Sequence, residues 1–419
     1  MKKKCKIKHF VLACFCFYTV IAQHSMETMH AQSIKSVVFK SQDSEIQFPI
    51  IQLGESFELH FDDLNGDERN YYYKIQYFNH DWTSSTLFKN EYLKGFDNLR
   101  IDDYQTSFNT LQTYTHYRLT LPNEQTQFLI SGNYLLEIYN EDNEMVFSRR
   151  FLIYENGAEV SAGVFRTRDL EFYQSHQSVQ FSVSPPQGEY FRDPQNQLHV
   201  TILQNEQWNT ALSNLKPQYN NGSRLEYRYD QQSRFEGGNE YLFFDTKDIQ
   251  ITSANVAMVE LNRLYESYLI TNFFRRGYPY SFIQDLNGDF VIQTTQGTGN
   301  GDIEADYSWV HFSLSAPLLL QGQEIFIYGK FNNYELNEGN RMYYNPSLET
   351  YEGVMLLKQG IYNYKYVSVT PESNLYNVIC GSHALTENRY LILVYYRYFG
   401  NMYDSLIGIG KTSSFEILD

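Results

Sequence analysis

The sequence predicts an all-β protein of three consecutive β-sandwich domains, immunoglobulin-like in kind. Composition is the first reason. With 37 tyrosines, 30 phenylalanines and only 10 prolines in 419 residues, the chain favours strands, because aromatic side chains suit a pleated, half-buried surface. Alternation is the second. Phe57, Leu59 and Phe61 alternate with Glu58, His60 and Asp62, and Tyr71, Tyr73, Ile75 and Tyr77 alternate with Tyr72, Lys74 and Gln76. This is the period of a strand with one buried face. Punctuation is the third. Asn65-Gly66, Asn221-Gly222, Gly237-Gly238 and Asn287-Gly288 mark turns between such runs. No segment keeps a helical period, and Ser84–Leu93 is the best short-helix candidate.

Taken in order, residues 1–31 read as a secretory signal. Lys2, Lys3, Lys4, Lys6 and Lys8 precede the short apolar run Phe10–Ala22, with cleavage expected after Ala22 or after Ala31. The first β domain is expected over 32–155, ending at the turn Glu155-Asn156-Gly157. The second is expected over 156–295, opening with strands around Val160–Phe165 and Val179–Val183. Residues 296–302 are glycine-rich and read as a flexible linker. The third domain is expected over 303–419, with strands at Glu324–Tyr328 and Ile361–Val367, and the C-terminal strands finishing its own sheet.

Charge and cysteine use exclude several classes. The chain carries a net charge of −16, and loss of the lysine-rich leader makes the balance more acidic. Phosphate backbones would repel such a surface, so nucleic acid is excluded as a partner. Phe10–Ala22 and Tyr390–Val394 are both too short to span a bilayer. Once the leader is gone Cys380 stands alone, so neither an internal disulfide nor a multi-cysteine metal site is expected.

A search for chemistry finds no catalytic, cofactor or metal residues to assign. Asp63-Leu64-Asn65-Gly66-Asp67 and Asp285-Leu286-Asn287-Gly288-Asp289 space their oxygens as a calcium loop would. Neither has glycine at position six or glutamate at position twelve, so both read as turns. Gly408-Ile409-Gly410-Lys411-Thr412 lacks the leading glycine of a phosphate loop and the helix that must follow it. The histidines are scattered, with no metal-ligand spacing. The tyrosines remain. Tyr92, Tyr104, Tyr114 and Tyr117 form the candidate partner-binding cluster, since tyrosine combines contact area with a polar tip.

Two segments carry a family resemblance. Glu91–Glu124, EYLKGFDNLRIDDYQTSFNTLQTYTHYRLTLPNE, closely resembles the first domain of the Bacteroidetes type IX secretion system plug proteins. Glu387–Ile407, ENRYLILVYYRYFGNMYDSLI, is similar to a second block of the same family, except that Tyr398 stands where a proline is expected. The resemblance implies a non-catalytic periplasmic protein, associated with the outer membrane through its partner. That partner is the translocon barrel of the type IX system, which the protein seals when no cargo occupies it.

A second resemblance sets the alternative. Ile325–Tyr334, Tyr351–Val354 and Gly360–Tyr366 look like an early-set domain of the glycogen-binding type, with Tyr334 in place of the tryptophan that helps hold sugar there. This suggests a carbohydrate-binding module protein of the cell envelope, with Tyr334 as its contact. A glycan-active enzyme is the third reading, and it would need two carboxylates facing each other across a cleft.

Overall fold

The computed structural model describes residues 27–42, 44–316, 323–370 and 373–418. The expected signal run Phe10–Ala22 lies outside the described residues. Glu27–Ala31 lie within them and pack on the strand Met145–Tyr154. The Arg150 amide donates to the Glu27 carboxylate at 2.9 Å, His30 N donates to Val146 O at 2.9 Å, and Met29 bridges Phe147. Cleavage after Ala31 would remove these contacts.

The chain is all β, as expected, with four-residue helices only at Lys89–Tyr92 and Pro194–Gln197 among the described residues. The first of these falls inside the expected Ser84–Leu93. The first unit packs two sheets face to face. One orders Ile34–Ser41, Phe57–Asp63, Thr115–Leu121 and Asp103–Thr106. The other orders Ile50–Gln52, Met145–Tyr154, Gly132–Tyr139, Tyr72–Phe78 and Leu99–Arg100. Between them lie Phe57, Leu59, Phe61, Tyr73, Ile75, Tyr117, Tyr134 and Phe151, the in-facing half of the alternation. Its polar half, Glu58, His60 and Asp62, shares the opposite face with His116 and Arg118 of the neighbouring strand.

The expected consecutive boundaries 156–295 and 303–419 are corrected by the strand pairing. Arg389–Tyr396 pairs with Leu198–Gln204, and Ser405–Ser413 pairs with Arg389–Tyr396. The C-terminal hairpin therefore completes the second unit's sheet, not the third's. Leu242–Asp245, Val256–Leu261, Tyr265–Leu269 and Phe290–Ile292 join the third unit instead, in one sheet of eleven described strands with Gly360–Val369 and Tyr307–Ser315. The third unit is thus an insertion within the second. Residues 296–302 are no linker between domains. Thr298 N and Asn300 N both donate to the Glu304 carboxylate, at 2.8 and 3.1 Å, which fastens the glycine-rich stretch as a loop of the third unit.

The reason for this order is burial on two faces. In the C-terminal hairpin Tyr390, Ile392 and Val394 enter the second unit's core, beside Val200, Ile202 and Tyr227. Leu391, Leu393 and Tyr395 face the other way and pack with Phe48 and Leu152 of the first unit. A strand buried on both faces must be apolar throughout, and the run Tyr390–Tyr396 is.

Candidate functional site

The tyrosine cluster does not form a surface. Tyr114 and Tyr117 are fully buried and Tyr92 is 6% exposed, so a partner cannot reach them. Only Tyr104 is half-exposed, its ring tilted over Tyr117 at 5.6 Å. The correction has a physical reason: each hydroxyl finds an internal acceptor, so the whole ring can be buried at little polar cost. Tyr117 donates to Arg69 O at 2.9 Å, Tyr92 to Ile75 O at 3.3 Å, and Tyr114 to Ala305 O at 2.8 Å.

The Tyr114 bond crosses to the third unit and belongs to a larger joint. On the polar face of the first sheet Asp62 is fully buried and accepts three bonds of 2.7 Å, from His116 Nδ1, Tyr307 OH and Lys358 Nζ. Burial alone would push the Asp62 carboxyl up, but Lys358 and His116 outweigh it and hold the group below the usual range. The Lys358 ammonium also sits 4.1 Å from the Tyr114 ring centroid, a cation–π contact in a desolvated site. The loop Ser107–Thr113 is tied down beside it. Phe108 N donates to Ile303 O, and Leu111 N and Gln112 N donate to the Asp306 carboxylate at 2.6 and 3.0 Å. Glu91–Glu124, the first segment of resemblance, therefore helps build the contact between the first and third units.

Glu387–Ile407, the second segment of resemblance, builds a matching joint. Asp404 has no exposed side-chain surface and accepts from Arg397 Nε at 2.8 Å and from His80 Nδ1 at 2.9 Å, on the first unit. Its pKa is lowered: the bonds from His80 and Arg397 more than offset the cost of burial. Tyr395 OH donates to Asn133 Oδ1 at 2.7 Å, and Tyr77 OH to Asp404 O at 2.7 Å.

A third polar group lies between the second and third units, and here burial wins. Glu240 and Asp285 are pushed up to about 7 and about 6, chiefly by desolvation. Glu240 accepts from Tyr280 OH and from Glu387 N, and Asp285 accepts from Tyr241 N and Asn287 N. These carboxylates are occupied by the chain's own donors. Asn287 and Gly288 both have positive φ, at 56° and 88°, which makes the expected turn.

Tyr334, the sugar-contact candidate, is 7% exposed. Asn333 and Tyr334 both adopt left-handed backbone, at φ 53° and 56°, and that turn carries the ring inward against Tyr328 at 5.0 Å. It offers no stacking face to a ligand. Cys380 is a buried free thiol.

Sequence reasoning missed two features. Phe88 and Phe96 are 77% and 75% exposed beside the short helix. Lys89 and Asp97 hold their segments together in a 2.6 Å ion pair, and Leu129, also exposed, joins through its amide to Tyr92 O. Aromatic count alone gives no sign of which rings point outward. The other is a group of ligand atoms. His60 Nδ1 and His116 Nε2 lie 3.1 Å apart, and together with an Asp302 carboxylate oxygen they fall within 4.8 Å of one another. His60 and His116 sit on paired strands, two residues out of register, so alternation puts them on one face although 56 residues separate them.

The family model described as the type 9 secretion system plug protein first domain matches residues 34–155, the stretch that folds into both sheets of the first unit. The chain belongs to that family. The likeness extends well past the first unit. A crystal structure of a hypothetical protein from Parabacteroides merdae ATCC 43184 is 34% identical, covers 92% of this chain and 98% of its own, and superposes with a TM-score of 0.87. No curated protein matches the chain. Membership places the protein in type IX secretion, in association with a component of that system in the cell envelope. Among the described residues no helix is long and apolar enough to cross a membrane.

Proposed function

We propose that the protein is a non-catalytic periplasmic plug, which binds and seals the outer-membrane translocon barrel of the type IX system when no cargo occupies it. The carrying observation is the plug-family match over 34–155, in a unit braced on both sides by buried joints. A wide barrel leaves a water-filled lumen, and closing it takes a folded body that does not yield. The ion pairs of the buried carboxylates Asp62 and Asp404 and the apolar contact of the C-terminal hairpin supply that stiffness.

The apolar tips Phe88, Phe96 and Leu129 are the contact face in this reading, in place of the buried tyrosines. Exposed aromatic anchors carry much of the affinity at such interfaces. The carbohydrate alternative loses the residue it rested on, since Tyr334 is buried. The test is affinity capture of the tagged protein from solubilised envelopes. The translocon barrel should co-purify with the wild type and less so with Phe88→Ser/Phe96→Ser. Capture without the barrel would contradict the proposal.

A further inference from the structure

The pair His60 and His116 presents a proton deficit. The outer nitrogen of each ring already faces a carboxylate: His116 Nδ1 lies 2.7 Å from Asp62 and His60 Nε2 lies 3.3 Å from Glu58. Their inner nitrogens face each other at 3.1 Å. Three contacts each call for one hydrogen, yet two neutral imidazoles carry only two between them. If both outer contacts are satisfied, two lone pairs are left pointing at one another. A cation between the rings removes that conflict.

The geometry around the gap fits such an ion. Tetrahedral zinc with bonds of about 2.0–2.1 Å sets neighbouring ligand atoms about 3.3 Å apart. The histidine nitrogens are 3.1 Å apart, and Asp302 Oδ2 lies 3.7 Å from His116 Nε2. Carboxylates on the outer nitrogens of both rings are the usual support of a metal-bound histidine, fixing its tautomer and raising its basicity. Charge is favourable as well. Glu58, Asp62 and Asp302 surround the gap, opposed by Lys358 and Arg118, the latter 3.2 Å from Asp302. A cleft of about 360 Å³, lined in part by Lys40, Gln47 and Val291, opens on the same residues and leaves room for a water as fourth ligand.

We propose that His60, His116 and Asp302 bind one divalent transition-metal ion of the zinc class, shared between the first and third units. The histidines come from adjacent strands of the first sheet, and the carboxylate comes from the loop before Tyr307–Ser315. The ion would therefore clasp two units that Asp62 and Lys358 already join. This site is independent of the plug reading.

The experiment uses the untagged mature chain, stripped with chelator and titrated with Zn²⁺ against a chromogenic competitor. Co²⁺ serves as a spectroscopic probe. The expected result is one ion per chain and a Co²⁺ visible spectrum of tetrahedral intensity. Asp302→Asn, at a partly exposed position that leaves the fold undisturbed, should weaken binding at least tenfold, and His60→Ala should do so more strongly. Glu58→Gln should weaken it about tenfold by releasing the His60 ring. His311→Ala, on the separate His311–Glu266 pair, should change nothing. Absence of stoichiometric binding, or binding that survives both Asp302→Asn and His60→Ala, overturns the proposal. The first outcome would mean that one ring carries the third proton; the second would place the ion elsewhere.

Discussion

The two segments of resemblance, Glu91–Glu124 and Glu387–Ile407, each contribute to a joint that uses the same device, a fully buried aspartate, but at different depths. At the first–third joint the cation is Lys358, whose side chain is 1% exposed. At the joint between the first unit and the C-terminal hairpin it is Arg397, 42% exposed and helped by His80. An ion pair that has lost all its water depends wholly on its partner, whereas one that keeps water on the cation side has a substitute. The Asp62 joint should thus fail abruptly, and the Asp404 joint should yield by degrees.

Lys358→Met tests this most severely. It leaves Asp62 buried without its countercharge and should cost about 3–5 kcal/mol, read as the denaturant midpoint of the purified chain. Tyr117→Ala belongs in the same range, about 3–5 kcal/mol, because it empties a packed site beside Phe61 and Tyr71. If Tyr117→Ala were as stable as wild type, the tyrosines would be surface residues after all. Arg397→Met should cost less, about 1–2 kcal/mol, since His80 and water remain to Asp404. A larger loss than that of Lys358→Met would reverse the comparison.

The carboxylates at Glu240 and Asp285 sharpen it by opposite sign. Asp62 and Asp404 have lowered pKa values, so their stabilisation is present above about pH 4, the ordinary carboxyl range, and is lost as pH falls through the folded values. Glu240 is raised to about 7, so its folded form holds its proton more tightly. Stability from this group is full below about pH 4 and declines as pH climbs through about 7. Glu240→Gln should therefore match wild type in melting temperature near pH 4 and exceed it at pH 8. A constant difference across pH would refute the assignment. The smallest effect on stability is expected from Phe88→Ser/Phe96→Ser, within about 0.5 kcal/mol for exposed positions.

The strands were legible where alternation survives: the in-facing Phe57, Leu59 and Phe61 and the out-facing Glu58, His60 and Asp62 are where the period placed them. The insertion was not. The apolar run Tyr390–Tyr396 signals burial on both faces, but nothing local in it names Leu198–Gln204 as its partner strand. Tyrosine was misread for a related reason: a ring with an internal acceptor for its hydroxyl has the same letter as one at a contact surface. Tyr114 finds that acceptor in Ala305, far away in sequence. His60, His116 and Asp302 likewise meet only once two units are docked.

The plug account meets its most direct test in the permeability of the outer membrane. A strain lacking this protein, with the translocon barrel present, should admit large antibiotics that the parent strain excludes, because an open lumen passes solutes. Re-expression of the wild-type chain should restore the barrier, and the stably folded Phe88→Ser/Phe96→Ser variant should restore it only in part. Permeability equal to the parent in the deletion strain, with the barrel shown to be present, would contradict the account.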